Sequence, residues 1–283
     1  MKEVSYYPGC SLHGTAKEYD DSIRGTSHLL DIQLHELEDW TCCGASSAHS
    51  TSEELAIDLA ARNLAIAEKF GRELLVPCVA CYSRLKMAEK EFGQHPEKIR
   101  FPYRGKVPIR YALDYFCEMP LLEEIKKKVV KPLSGLKVVC YYGCLTVRPP
   151  EVTGIKDYEN PHHMDHLIKI LGAEPVPWSY KADCCGASLV MTRTDVVRKL
   201  TGNLIAMARE ADAEALVTGC PMCHANLDTR QDEIAKEGGE THPLPIFYFT
   251  ELIGLALGHR DVKKWLHRLI TDPTKVLSEK GLL

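Results

Sequence analysis

The chain reads as an α/β protein of two pseudo-symmetric halves, each with mainly parallel strands. Three observations predict this: a repeat along nearly the whole chain, short apolar runs that stop just before cysteines, and helical periodicity between those runs. Tyr6-Tyr7-Pro8-Gly9-Cys10-Ser11-Leu12 answers to Tyr141-Tyr142-Gly143-Cys144-Leu145. Thr41-Cys42-Cys43-Gly44-Ala45-Ser46 answers to Asp183-Cys184-Cys185-Gly186-Ala187-Ser188. Val76-Pro77-Cys78-Val79-Ala80-Cys81 answers to Thr218-Gly219-Cys220-Pro221-Met222-Cys223, and Val107–Tyr111 to Leu244–Tyr248. The offset is 134 at the first cysteine, a constant 142 from the Cys-Cys pair through the Cys-x-x-Cys, and 137 at the last block. Insertions thus fall between blocks, which describes two homologous halves rather than a solenoid.

Taken in chain order, the apolar runs Val4–Tyr7, Leu74–Val76, Val138–Tyr142 and Ala215–Thr218 suit buried strands. Between the Cys-Cys pair and the Cys-x-x-Cys, each half should carry a helix. In the first, Leu55, Leu59, Leu64 and Ile66 follow helical spacing, and Thr51 with Glu54 forms a capping box. In the second, Val196, Val197, Leu200, Leu204 and Met207 follow Thr194-Asp195. Strands alternating with helices predict parallel sheets, with the cysteines gathered at the strands' carboxyl ends, where open α/β sheets place ligands. The boundary falls within Lys126–Gly135, giving domains 1–130 and 131–283. Near the end, Val262–Ile270 should be an amphipathic helix whose Trp265, Leu266, Leu269 and Ile270 face the core.

Composition narrows the class. The net charge is −4 over 283 residues, which gives no electrostatic reason to expect nucleic acid or an acidic membrane surface. Met1–Tyr7 lacks the apolar run of a signal peptide, and no stretch of about 18 apolar residues would span a bilayer. Twelve cysteines are the outlier. In the reducing compartment expected here they point to metal or redox chemistry rather than a disulfide frame.

Ten of them fall into two ordered quintets, Cys…Cys-Cys…Cys-x-x-Cys, with gaps of 31, 34 and 2 residues in the first half and 39, 34 and 2 in the second. A Cys-x-x-Cys alone is equally a thioredoxin-type motif. Structural zinc and an ordinary cubane each take four thiolates, so five per half leave either a spare cysteine or a larger, less regular centre. Zinc in one half is the competing expectation, and a zinc-stabilised scaffold without chemistry is a third. Gly44 and Gly186, after each Cys-Cys pair, permit close backbone approach.

At these residues the sequence resembles the cysteine-rich CCG domain family, and over essentially its whole length it resembles the B subunit of heterodisulfide reductases. Tyr6–Cys10, Tyr141–Cys144 with Arg148-Pro149, and Glu159-Asn160-Pro161…Met164-Asp165 carry the second likeness. The resemblance implies a noncubane [4Fe-4S] cluster in each half, both facing one cavity where a disulfide is reduced to two thiols. In methanogens that disulfide joins coenzymes M and B. The implied ligands are Cys10, Cys42, Cys43, Cys78 and Cys81, then Cys144, Cys184, Cys185, Cys220 and Cys223. Electrons would come from a ferredoxin-like iron–sulfur subunit of the C type, supplied in turn by an FAD-containing subunit of the A type. The setting would be a cytoplasmic complex performing flavin-based electron bifurcation, with a hydrogenase or formate dehydrogenase as a further partner. The alternatives within the family are an electron-transfer subunit of a CCG-containing dehydrogenase or fumarate reductase, and a bacterial relative acting on another disulfide or a sulfur carrier.

Other residues read more plainly. Cys140 and Cys117 are expected as buried small hydrophobes. His13 and His224 lie near ligand positions, and each is expected to hydrogen-bond the backbone rather than donate protons. His162, His163 and His166 should form exposed first turns of a helix. Among Arg84, Arg148, Arg193 and Lys181, Arg148 is expected to face the cavity.

Overall fold

A computed structural model describes residues 1–45, 48–238 and 243–283; Ser46, the last residue of the first Cys-Cys block, lies outside them. The strands are β1 (Lys2–Tyr6), β2 (Ile32–Glu36), β3 (Leu74–Val76), β4 (Ile109–Tyr111), β5 (Lys137–Tyr141), β6 (Glu174–Pro175), β7 (Ala215–Thr218) and β8 (Ile246–Tyr248). They form two sheets of identical topology, β2-β1-β3-β4 and β6-β5-β7-β8, with every pair parallel. The fold is therefore α/β with two pseudo-symmetric halves. β3 and β7 are buried at every residue, which is why they read as unbroken apolar runs rather than alternating ones.

In each sheet the chain runs outward from the first strand to the second, then crosses to the other side for the third. Between the first and third strands lies the crevice where such sheets take ligands. Cys10 and Cys144 follow β1 and β5, and both Cys-x-x-Cys motifs follow β3 and β7. The Cys-Cys pairs come in the loops after β2 and β6.

Strand register corrects one detail of the repeat. Tyr6 pairs with Leu75 and Cys140 with Val217, so Tyr7, not Tyr6, is the counterpart of Tyr141. Hydrogen bonding agrees: the Tyr7 hydroxyl donates to Thr41 O and the Tyr141 hydroxyl to Asp183 O, both at 2.7 Å. Tyr142 then occupies the place of Pro8.

Helix ends also differ from expectation. Thr51 closes a short helix, Ala48–Thr51, and Ser52 caps the long helix Glu53–Glu68 by accepting from Leu55 N at 3.2 Å. Glu54 has no part in a capping box; it pairs with Arg100 on the surface. Leu55 is exposed, and the helix buries an alanine-rich face of Ala56, Ala60, Ala61 and Leu64 instead. In the second half Val197 and Leu204 are buried on the helix Thr194–Glu210, as their spacing predicts. The C-terminal helix ends early, at Leu266; Trp265, Leu266 and Leu269 are buried, but Ile270 is 66% exposed. Asp228 explains the break, because its carboxylate accepts from the free N–H groups of Ile270 and Thr271 at 2.8 Å each.

The halves pack face to face through the helices Lys17–Leu29 and Phe249–Ala256. Ser22 and Thr250 share a 2.7 Å hydroxyl contact there. The short helix Gly9–His13 touches the Cys-x-x-Cys helix of the second half, Pro221–Thr229, and Cys144–Val147 touches that of the first, Val79–Gln94. The helix that carries each half's first cysteine thus packs on the other half.

Candidate metal centres

Three loops build each centre, and local chemistry fixes all three. Cys78 and Cys220 stand at the N-cap positions of Val79–Gln94 and Pro221–Thr229, where free N–H groups and the helix dipole favour negative sulfur. The Cys220 Sγ accepts from Cys223 N at 3.5 Å. Gly44 N and Gly186 N approach Cys42 Sγ and Cys184 Sγ at 3.4 and 3.3 Å. Across the crevice, Cys43 and Cys81 sulfurs lie 3.2 Å apart and Cys185 and Cys223 sulfurs 3.5 Å. These are contacts, not bonds, and all twelve cysteines are free thiols.

Sulfurs so close share protons. Hydrogen bonds from Cys42 and Cys81 hold the Cys43 thiol far below its usual range and push those two partners up. In the second half Cys144 holds Cys184 down to about 6, and Cys223 holds Cys185 down to about 7, each donor rising in turn. Five thiolates would repel one another here, so a fully ionised quintet requires cations in place of the shared protons. Among the described residues, no group of three or more His, Cys, Asp or Glu side chains is arranged for a single metal ion. The donors come as close sulfur pairs set against main-chain N–H groups, a set that fits a polynuclear iron–sulfur group.

Positioning residues that sequence reasoning missed complete the sites. Buried Asn63 clamps the residue before Cys42, accepting from Thr41 N and donating to Thr41 O, both at 2.9 Å. In the second half the donor sits elsewhere: Asn226, on the Cys-x-x-Cys helix, donates to Cys185 O at 2.7 Å. Because the two asparagines occupy different repeat positions, the repeat offers no signal for them.

Gly9 and Gly143 have a sharper requirement. Both hold φ near +70°, and a Cβ there would lie 2.9 Å from Cys81 Sγ and 3.2 Å from Cys223 Sγ. Gly9→Ala is expected to lose about 1–2 kcal/mol from backbone strain and to displace a candidate ligand as well. Urea unfolding together with iron content would check both effects; unchanged iron would show that the sulfur position tolerates the methyl group.

The remaining candidates sort themselves by partner. His13 pairs with Glu36 at 2.9 Å, a side-chain rather than a backbone partner. His224, buried, donates from Nε2 to Ile246 O at 2.9 Å, and burial pulls its pKa down to about 4, which keeps it neutral. His163 opens a helix that runs to Ile170, with His162 before it. Cys140 is fully buried, and burial raises its thiol and that of Cys117. Lys181 is buried in an ion pair with Asp165 at 2.7 Å. Arg193 pairs with Asp195 on the surface.

Arg148 is a correction: it pairs with Glu159 at 2.9 Å and does not line the cleft between the halves. Arg84 does. That cleft, about 250 Å³, is walled on one side by all five cysteines of the second quintet and on the other by Ala45, His49, Val79, Ala80, Ser83 and Arg84 of the first half.

Comparison with known proteins agrees with this architecture. The cysteine-rich domain (CCG) family model matches twice, over residues 4–86 and 138–228. The chain is 33% identical to the 8-methylmenaquinol:fumarate reductase membrane anchor subunit of Wolinella succinogenes, over 98% of this chain and 99% of that protein. It is 26% identical to the B subunit of the ferredoxin/F420H2-dependent CoB-CoM heterodisulfide reductase of Methanosarcina acetivorans, over 91% of this chain and 90% of that one. A crystal structure of a hypothetical protein from Helicobacter pylori superposes with a TM-score of 0.76 at 14% identity. It matches 96% of this chain, which spans 52% of that one, and the likeness is one of fold. Among the described residues no helix is long and apolar enough to cross a membrane. With two matched domains, two copies of one sheet topology and two cysteine quintets at equivalent strand ends, the chain belongs to the cysteine-rich CCG domain family.

Proposed function

We propose that this chain is the two-centre iron–sulfur subunit of a heterodisulfide reductase-type complex and reduces a small disulfide to two thiols in the cleft between its halves. The carrying observation is the cleft itself: a centre that only relayed electrons would have no need to open all five candidate ligands onto a cavity walled by the other half. Noncubane [4Fe-4S] groups at the ten cysteines would each supply one electron, which matches a two-electron bond cleavage. Five candidate donors in each half, one more than structural zinc takes, favour such groups over zinc. The chain's own part is to hold the disulfide between the Val79–Gln94 helix start and the Cys184-Cys185 loop, and to keep bulk water from the sulfurs. Electrons would arrive from an FAD-containing subunit through a ferredoxin-like one.

Arg84 supplies the substrate's anchor. Arg84 lines the cleft, and the one described partner of its guanidinium is the weak acceptor Met87 Sδ at 3.8 Å. A substrate carrying a carboxylate, sulfonate or phosphate would give it a charge-assisted hydrogen bond. Arg84→Gln is therefore expected to raise KM about tenfold with kcat nearly unchanged; equal falls in kcat and kcat/KM would place Arg84 in the chemistry instead.

A second reading has its own support in the 33% identity to a fumarate reductase subunit. There the cleft would serve quinol-linked electron transfer to a fumarate-reducing partner. Anaerobic purification separates the two. Disulfide reduction driven by a reduced viologen, in protein holding about eight irons per chain, supports the first. A copurifying fumarate reductase flavoprotein with no disulfide turnover supports the second, and colourless, iron-free protein sinks both.

A further inference from the structure

Two halves of one fold should place equivalent groups equivalently about their junction, yet the hydrogen bonds there are one-sided. The residues just before the two Cys-x-x-Cys motifs, Pro77 and Gly219, both approach the buried Tyr19. Its hydroxyl lies 2.9 Å from Gly219 O and 3.5 Å from Pro77 O. Tyr111, at the end of β4, also donates to Gly219 O at 2.9 Å. The repeat counterpart of Tyr111 is Tyr248, at the end of β8. That phenol is fully buried and has no hydrogen-bond partner among the described residues. It stacks between Tyr19 and His224, with ring centroids 4.0 Å away on each side. Gly219 O thus receives two phenol donors, while Pro77 O receives one long contact.

The asymmetry has an electrical meaning. Phenol O–H groups donating to Gly219 O, the carbonyl of the peptide that leads into Cys220, offset the negative end of that peptide dipole beside the second quintet. Donors and positive dipoles near an iron–sulfur centre favour its more negative, reduced form and raise its potential. The contact needs a glycine at this position, since a Cβ at Gly219 would sit 2.8 Å from the Tyr111 hydroxyl.

On the two-centre reading above, we propose that Tyr19 and Tyr111 are positioning residues that hold the second centre at a higher potential than the first. An electron entering at the first centre then moves downhill to the one that opens on the cleft. One electron passes with no bond made or broken, and the phenols stay protonated throughout.

The test is a redox titration of the anaerobically purified full chain, followed by electron paramagnetic resonance, in Tyr111→Phe, Tyr19→Phe and Tyr248→Phe. Each removes one oxygen and keeps the ring. In Tyr111→Phe the Gly219 carbonyl keeps Tyr19, so no buried acceptor is orphaned. The expected result is that Tyr111→Phe and Tyr19→Phe lower the higher of two midpoints and narrow the gap, while Tyr248→Phe moves neither. Iron-loaded protein whose midpoints ignore Tyr111, or move together, overturns this proposal and leaves the proposed function standing. So would a Tyr248→Phe effect as large as that of Tyr111→Phe. Protein that binds no iron overturns both.

Discussion

Cys81→Ser and Cys223→Ser, made separately, are each expected to leave about half the iron in the chain and to cut disulfide reduction by about a hundredfold or more. Both residues are buried. Each meets the second cysteine of its Cys-Cys pair, at 3.2 Å for Cys81 and 3.5 Å for Cys223. Each also closes against a glycine that leaves no room for retreat. A serine oxygen is a harder donor with a shorter reach, so it cannot replace a thiolate at the same backbone position. If the two halves each take one sulfur of the substrate, both variants fail alike. If Cys81→Ser keeps turnover while Cys223→Ser loses it, the first centre is dispensable for the reaction and the symmetric division of labour falls. Iron analysis and turnover on the same preparation distinguish these outcomes, with unfolding curves confirming that both variants fold.

Much of this site is legible in the sequence because chemistry and fold repeat together. Cysteines following apolar runs, in one order twice, announce the strand ends and a candidate donor set, and the structure keeps Cys10 and Cys144 after β1 and β5. What stays hidden depends on long-range geometry. β2 and β6 give no apolar run to read: β6 has two residues, and β2 alternates apolar with polar at a half-exposed edge. Leu55 reads as core because it keeps helical spacing, but three alanines let the helix approach on a neighbouring face. Arg84 and Arg148 are indistinguishable by sequence distance from a cysteine. Glu159 neutralises one, and the packing of Val79–Gln94 against the second half directs the other into the cleft. The unequal pair Tyr111 and Tyr248 is the extreme case, since the repeat itself argues that they should behave alike.

Trp265→Ala should then be the costliest change away from the cysteines, about 3–5 kcal/mol. The indole is 3% exposed and lies over two glycines, Gly25 of the first half and Gly254 of the second. A Cβ at either would clash with the ring, so the indole occupies space that neither glycine fills when it is removed. The cavity persists, and its cost cannot be relieved by collapse. Because the ring spans both halves, the loss falls on their mutual orientation, and the cleft exists only where they meet. Chemical denaturation is expected to show the lower stability, and turnover to fall while iron stays bound, since neither quintet touches Trp265. Full turnover in a destabilised Trp265→Ala would instead mean that the cleft is held by the short helices at the first cysteines, Gly9–His13 and Cys144–Val147, which cross between the halves on their own.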